Sequence, residues 1–176
     1  MPQTKRRELI PLNIAILTIS DTRDESTDQS GAQLAECLTS SGHRLHAKVI
    51  VKDDLQEIRE QVSQWIVDEA VEVIISTGGT GVTGRDGTPE AVEPMLEKII
   101  AGFGELFRSL SYEEIGTSSL QSRCLAGVAN GTYVFCLPGS TNACMTGWNK
   151  IISLQLDYRT TPCNLAELLP RLREKS

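Results

Sequence analysis

Three segments of this chain combine residue types that handle phosphates. The first is Thr77-Gly78-Gly79-Thr80-Gly81, which follows the apolar run Val71 to Ile75 and leads to Asp86-Gly87 and Thr88-Pro89-Glu90. Three glycines within four positions leave the backbone bare, so its N–H groups can approach an anion closely. Two threonine hydroxyls sit among them, and the carboxylate of Asp86 lies just beyond. The second segment is Leu137-Pro138-Gly139-Ser140-Thr141-Asn142, which joins an apolar strand to a long helix. Free N–H groups and the dipole at a helix start favour an anion there, although Ser140 or Thr141 could equally be a plain cap. The third feature is a set of acids at strand exits: Asp21 and Asp28, Asp53 and Asp54, and Asp86. Acids in such positions can hold a divalent cation against substrate phosphates, whereas Asp53 or Asp54 before Leu55 also fits a helix cap. Ser122-Arg123 adds a hydroxyl and a guanidinium suited to phosphate, or else a surface turn.

The glycine segment also contains a look-alike. Gly79-x-Gly81-x-x-Gly84 matches the dinucleotide-binding fingerprint, but that motif needs a tight strand-to-helix turn and an acid ~20 residues on, after the next strand. Here the helix starts only at Thr88, and the stretch around Glu105 does not follow a strand, so NAD binding is rejected. A nucleoside-triphosphate P-loop is rejected too, because no Gly-Lys-Ser/Thr follows.

These segments must be positioned by an α/β fold. Asn13 to Ile19 reads as a buried strand, Gly31 to Ser41 as a helix closed by Gly42, and His43 to Val51 as a second strand. Asp54 to Glu69 carries Leu55, Ile58, Val62, Trp65 and Ile66 at helical spacing, and Val71 to Thr77 is the third strand. Strand–helix–strand–helix–strand order implies a parallel sheet covered on both faces. Thr88, Pro89 and Glu90 read as cap, first position and first-turn acid of another helix. Gly102 to Leu110 follows as a helix, and Ser118 to Arg123 as about one turn. Asn130-Gly131 joins Leu125–Asn130 and Thr132–Leu137 into a hairpin, which makes one late strand antiparallel. Ser140 to Leu156 is the last long helix, and the tail has a short helix near Leu165 to Leu172. The expectation is a three-layer α/β/α domain over residues 12–176 behind a flexible arm, residues 1–11. Phe103, Phe107, Tyr112 and Trp148 are assigned to the core in preference to an interface. If the strands ending at Thr77 and Leu137 are parallel neighbours, both loops open onto one crevice.

Composition excludes several classes. The chain has 176 residues, 40% hydrophobic and 23% charged, with a net charge of −6, which suits one globular domain and not a nucleic-acid partner. No run is long and apolar enough for a signal peptide or a membrane span. The five scattered cysteines contain no CxxC and only two histidines are present, so zinc is not expected and the thiols read as reduced and cytoplasmic.

In combination, Thr77-Gly-Gly-Thr-Gly81, Arg85-Asp86, Thr88-Pro89-Glu90-Ala91, Gly102-Phe-Gly-Glu105, Ser122-Arg123, Ala126-Gly127 and Leu137-Pro-Gly139 resemble the ordered motifs of the MoaB/MogA type of molybdenum cofactor biosynthesis proteins. The stretch Glu114 to Asn130 and the Pro-Gly-Ser loop look most like the MoaB branch. The resemblance implies a homotrimer or hexamer with molybdopterin as ligand, and other proteins of the same pathway as partners. In the adenylyltransferase branch it further implies transfer of AMP from Mg-ATP to the terminal phosphate of molybdopterin, with release of pyrophosphate. The two family aspartates of that step fall on Asp53 and Asp86, either of which could position Mg²⁺. The implied substrate-binding set is Thr77, Gly78, Gly79, Thr80, Gly81, Thr88, Glu90, Ser122, Arg123, Pro138, Gly139 and Ser140. Some proteins of the MoaB branch lack both acids, so a non-catalytic molybdopterin carrier is the alternative. A generic GTP-binding module is a third reading, for which no NKxD-like motif is present.

Overall fold

The computed structural model describes residues 7–174. Its elements follow in the order β1 (Asn13–Ile19), α1 (Gln29–Ser40), β2 (Arg44–Val51), α2 (Leu55–Val67), β3 (Val73–Thr77), α3 (Thr88–Val92), β4 (Lys98–Ile99), α4 (Ala101–Ile115), β5 (Leu125–Ala129), β6 (Thr132–Leu137) and α5 (Thr141–Gly147). The last helix continues through a π turn, Trp148–Ile152, into Ser153–Gln155, and a short helix, Leu165–Leu168, lies in the tail.

The strands form one sheet in the order β2-β1-β3-β6-β5-β4. β1 is parallel to β2 and β3, and β3 is parallel to β6. β5 is antiparallel to both of its neighbours, so it alone runs against the rest. The period of two along each strand divides the core into two layers. Ile14 and Ile16 of β1, Val73 and Ile75 of β3, and Tyr133, Phe135 and Leu137 of β6 face α1, α4 and α5, where Leu34, Leu38, Phe103, Phe107 and Trp148 fill the space. Ala15, Leu17, Ile74, Val134 and Cys136 face α2 and α3, packing on Ile58, Val62, Trp65 and Ala91. Burying side chains such as Phe103, Phe107 and Phe135 contributes roughly 1.5–3 kcal/mol each. Tyr112 is the exception among the aromatics assigned to the core, since it is 59% exposed.

Several boundaries differ from the sequence expectation. β4 has only two residues, too few to leave a periodic signal, and it covers the outer edge of the β5–β6 hairpin. Asn130 and Gly131 both take positive φ, as the tight hairpin requires. Helix α4 runs on to Ile115 and stops at Gly116, also at positive φ. Gly87, not Thr88, caps α3, because the Thr88 hydroxyl is directed into the protein, onto the Gly78 carbonyl. Of the expected arm, residues 1–6 lie outside the described residues. Within them, Arg7 bonds Glu167 at 3.2 Å and sits 5.0 Å over the Tyr158 ring.

The adjacent acids Asp53 and Asp54 separate cleanly. Asp54 caps α2, accepting from the amides of Gln56 and Glu57 at 2.9 and 3.1 Å. Replacing Asp54 by Ala is expected to cost about 1 kcal/mol in denaturant unfolding while leaving the cleft chemistry intact. A loss of cleft function larger than the loss of stability would contradict that division.

Candidate functional site

β3 and β6 end side by side, with Thr77 opposite Leu137, so both glycine loops open at the carboxyl edge of the sheet. The loops are tied together. The Gly78 amide donates to the Leu137 carbonyl at 3.0 Å, and the Thr77 hydroxyl donates to the Pro138 carbonyl at 2.9 Å. A Cβ built on Gly139 would lie 3.4 Å from the Gly78 Cα, so the two backbones run in contact. Gly78 has a φ of +110°, and a Cβ there would collide with the Ile19 carbonyl oxygen. Only glycine satisfies both demands.

The loop carbonyls are directed into the protein. Gly78 O accepts from the Thr88 hydroxyl at 2.8 Å and Gly79 O from the Thr88 amide at 3.0 Å. Thr80 O accepts from the Arg123 amide at 2.9 Å and Gly81 O from Arg123 Nε at 2.7 Å. With the acceptors satisfied, the Gly79 and Thr80 amides remain without a hydrogen-bond partner among the described residues. A loop in this state offers donors to an anion.

Two carboxylates press on the same loop. A Cβ on Gly79 would lie 3.1 and 3.3 Å from the Asp53 carboxylate oxygens, and one on Gly81 would lie 2.8 Å from Asp86 Oδ2. The glycines therefore give room to the acids as well as to a ligand. The environments of the two acids are opposite. Burial, reinforced by the charges of Asp86 and Asp21, pushes the Asp53 carboxyl above its ordinary range against the Gly87 amide and Arg85. Its Oδ1 is buried with no hydrogen-bond partner. Burial also acts upward on Asp86, but the Thr83 hydroxyl and amide, the Gly81 amide and the Arg123 charge outweigh it and hold that carboxyl below its ordinary range. The Thr83 bonds to Asp86 Oδ2 are 2.7 and 2.8 Å.

The loops border a cleft of about 600 Å³, lined by Asp53, Gly78, Gly79, Thr80, Gly81, Asp86, Ser122, Pro138, Gly139 and Ser140 from the expected set. Four expected residues stand outside its wall. Thr77 is buried under the Pro138 turn, and Thr88 is buried under the glycine loop. Arg123 pairs with Glu90 and also donates to the Gly81 and Asp86 carbonyls, so both residues brace the loop from behind. Asp28, from the wider acid set, caps α1 and accepts from the Thr18 hydroxyl at 2.8 Å. Asp21 lines the cleft and pairs with Arg85.

The opposite wall comes from α4 and the turn after it: Phe107, Ser111, Ile115, Ser118, Ser119 and Gln121. Sequence reading missed this wall, because its apolar members share the spacing of the core residues on α4. The clue was the polar run Gly116–Gln121, which has three hydroxyls and no charge. Arg23 was likewise missed within a loop of mixed charges. Asp53 and Asp86 also line a second cavity of about 740 Å³ with Asp54, Thr83, Arg85 and Arg123, so the acids stand between two spaces.

The Asp53 environment predicts an inverted stability profile. A carboxyl whose folded pKa is raised favours the fold below the unfolded pKa, and that contribution is lost as pH rises through the folded pKa. Asp53→Asn is therefore expected to be at least as stable as the parent chain at neutral pH, with the difference shrinking below the ordinary carboxylate range. Denaturant unfolding at the two pH values checks this, and a D53N protein that is less stable at neutral pH contradicts it.

Comparison with known proteins agrees with the geometry. Residues 15–158 match the family described as "Probable molybdopterin binding domain". The molybdenum cofactor biosynthesis protein B of Escherichia coli K12 is 54% identical over 157 residues, covering 89% of this chain and 92% of that protein. A crystal structure of a molybdenum cofactor biosynthesis protein B superposes with a TM-score of 0.86 at 40% identity, covering 96% of this chain and all of that one. The tungsten cofactor synthesizing protein MoaB from Pyrococcus furiosus superposes at 0.77 with 33% identity, covering 93% of this chain and 98% of that one. No helix among the described residues is long and apolar enough to cross a membrane. A phosphate-ready glycine loop at the sheet edge, in a chain this similar throughout, leads to one assignment: the protein belongs to the MoaB/MogA family of molybdenum cofactor biosynthesis proteins.

Proposed function

We propose that this protein binds molybdopterin in the 600 Å³ cleft and transfers AMP from Mg-ATP to its terminal phosphate. The observation that carries the reading is the convergence of Asp53 and Asp86 on one glycine loop, at Gly79 and Gly81. A carrier needs the loop but has no use for two acids crowded against it.

The residues present fit Mg²⁺. Asp53 Oδ1 is a buried oxygen with no partner, and the charges of Asp21 and Asp86 repel its ionised form. A divalent cation would satisfy the oxygen and relieve the repulsion. No group of three or more metal-binding side chains exists among the described residues, so phosphate oxygens and water must complete the shell. That is the usual arrangement for Mg²⁺ bound with a nucleotide. When bound, the ion supplies charge neutralisation at the reacting phosphates.

In this reading the Gly79 and Thr80 amides bind the pterin's phosphate. Ile115, with Phe107 buried behind the wall, offers apolar surface to its ring, and the serines of the far wall offer hydroxyls to the ring's polar edge. The triphosphate enters from the second cavity, whose border with the cleft is formed by Asp53 and Asp86. A phosphate oxygen of the pterin attacks the α-phosphorus of ATP. The bond from that phosphorus to the α–β bridging oxygen breaks, and pyrophosphate leaves with the electron pair. The protein's part is to align two mutually repelling anions with donors fixed in advance, which is where catalysis of phosphoryl-type transfers lies. Assembly as a homotrimer or hexamer belongs to the same proposal, supported by family kinship.

Purified protein with molybdopterin and Mg-ATP is expected to form adenylylated pterin and pyrophosphate. Tight pterin binding without that product would leave a non-catalytic carrier, and GTP binding tighter than pterin would favour a nucleotide module. Asp86→Asn is expected to retain pterin binding while the rate of AMP transfer falls by roughly 10²–10³. Normal turnover by this variant would remove Asp86 from the chemistry.

A further inference from the structure

Three carboxylates, Asp21, Asp53 and Asp86, line the main cleft, and Arg23 is the one Lys or Arg side chain among the described residues that faces them there. The other nearby guanidiniums line the second cavity instead. Arg85 pairs with Asp21, and Arg123 pairs with Glu90 and with loop carbonyls. Arg23 is held at the other end of the glycine loop. Its Nη2 donates to the Gly139 carbonyl at 2.9 Å and its Nη1 to the Ser30 hydroxyl at 3.0 Å. The buried carboxylate of Asp28 lies 3.9 Å behind it, itself fixed by Thr18 and the Gly31 amide. These bonds use two of the five N–H donors of a guanidinium, which leaves the rest for a ligand. Gly139 runs against Gly78, so the cation stands where the two glycine loops meet.

Resting on the function proposed above, we propose that Arg23 anchors the phosphomonoester of the bound pterin. Asp28 and the Gly139 carbonyl aim its guanidinium, and the acids at Gly79 and Gly81 take the metal-bound triphosphate. Charge thus changes sign along the loop: Arg23 shares the pterin's phosphate with the Gly79 and Thr80 amides, and the acids hold the metal-bound triphosphate on their far side. It also separates phosphorylated from unphosphorylated pterin, since the uncharged α4 wall alone would accept both.

The test is anaerobic titration of the full chain and of R23Q with three probes: molybdopterin, its dephosphorylated form, and a non-hydrolysable ATP analogue with Mg²⁺. R23Q is expected to bind molybdopterin roughly ten- to a hundredfold more weakly, the loss of a charge-assisted bond, with the dephosphorylated form and the nucleotide changed by less than about twofold. Unchanged dephospho-pterin binding also shows that the cleft is folded. R23K serves where R23Q does not fold: an ammonium keeps the charge but not the fork, so an intermediate loss confined to the phosphorylated pterin is expected. Equal affinity of the parent and R23Q for molybdopterin, or a loss confined to the nucleotide, overturns the assignment of Arg23 alone. No binding of molybdopterin by the parent chain overturns this assignment together with the functional reading beneath it.

Discussion

Two carboxylates rest against bare backbone at Gly79 and Gly81, and much of the site's construction follows from that crowding. A methyl group at Gly81 would meet Asp86, and one at Gly79 would meet Asp53 and collide with the Thr88 hydroxyl. The loop can hold this shape only because its carbonyls are taken up by Thr88 and Arg123. Those residues do not touch the cleft. They turn the loop so that its acceptors point inward and two of its amides stay available, which a buried peptide tolerates only when an anion or water completes it.

Crowding also sets the electrostatics. Asp86 collects hydrogen bonds from Thr83 and stays readily ionised, whereas Asp53 is half-buried beside two other acids and resists ionisation. Unequal neighbours of this kind mark sites where charge is to be managed. Here the deficit is specific: an acid oxygen with no donor, next to a loop with free donors, at the junction of two cavities. A divalent cation and a phosphate are complementary to that pair of deficits.

The strands were legible because each carries period-two or continuous apolar runs, and the parallel β1–β3–β6 arrangement follows from helical crossovers between them. The hairpin at Asn130-Gly131 was legible from turn chemistry alone. The two-residue strand β4 was not, because it is defined by pairing with β5 and carries no local pattern. At the site, the glycine loops and Asp86 could be read from residue type, whereas Asp53 and its neighbour Asp54 could be told apart only by which one reaches the α2 amides. The α4 wall escaped because Ile115, 52% exposed, lies on the same helix as the core residue Phe107, and an apolar residue at a cleft looks the same in sequence as one in a core. Thr77, Thr88 and Glu90 belong to the expected ligand-binding set through the glycine-loop motifs, and Arg123 through its guanidinium beside Ser122; Glu90 and Arg123 border the second cavity. Their hydrogen bonds also brace the loops, which residue type alone did not reveal.

If Asp53 and Asp86 act together on one cation at one loop, their losses cannot be independent. The direct measurement is a double-mutant cycle on the rate of AMP transfer to molybdopterin, using the parent chain, D53N, D86N and the double variant. Strong non-additivity is expected, with the double variant little slower than the slower single one, because removing either acid already dismantles the shared site. Multiplicative losses, or a parent chain that binds molybdopterin and transfers no AMP, would contradict it.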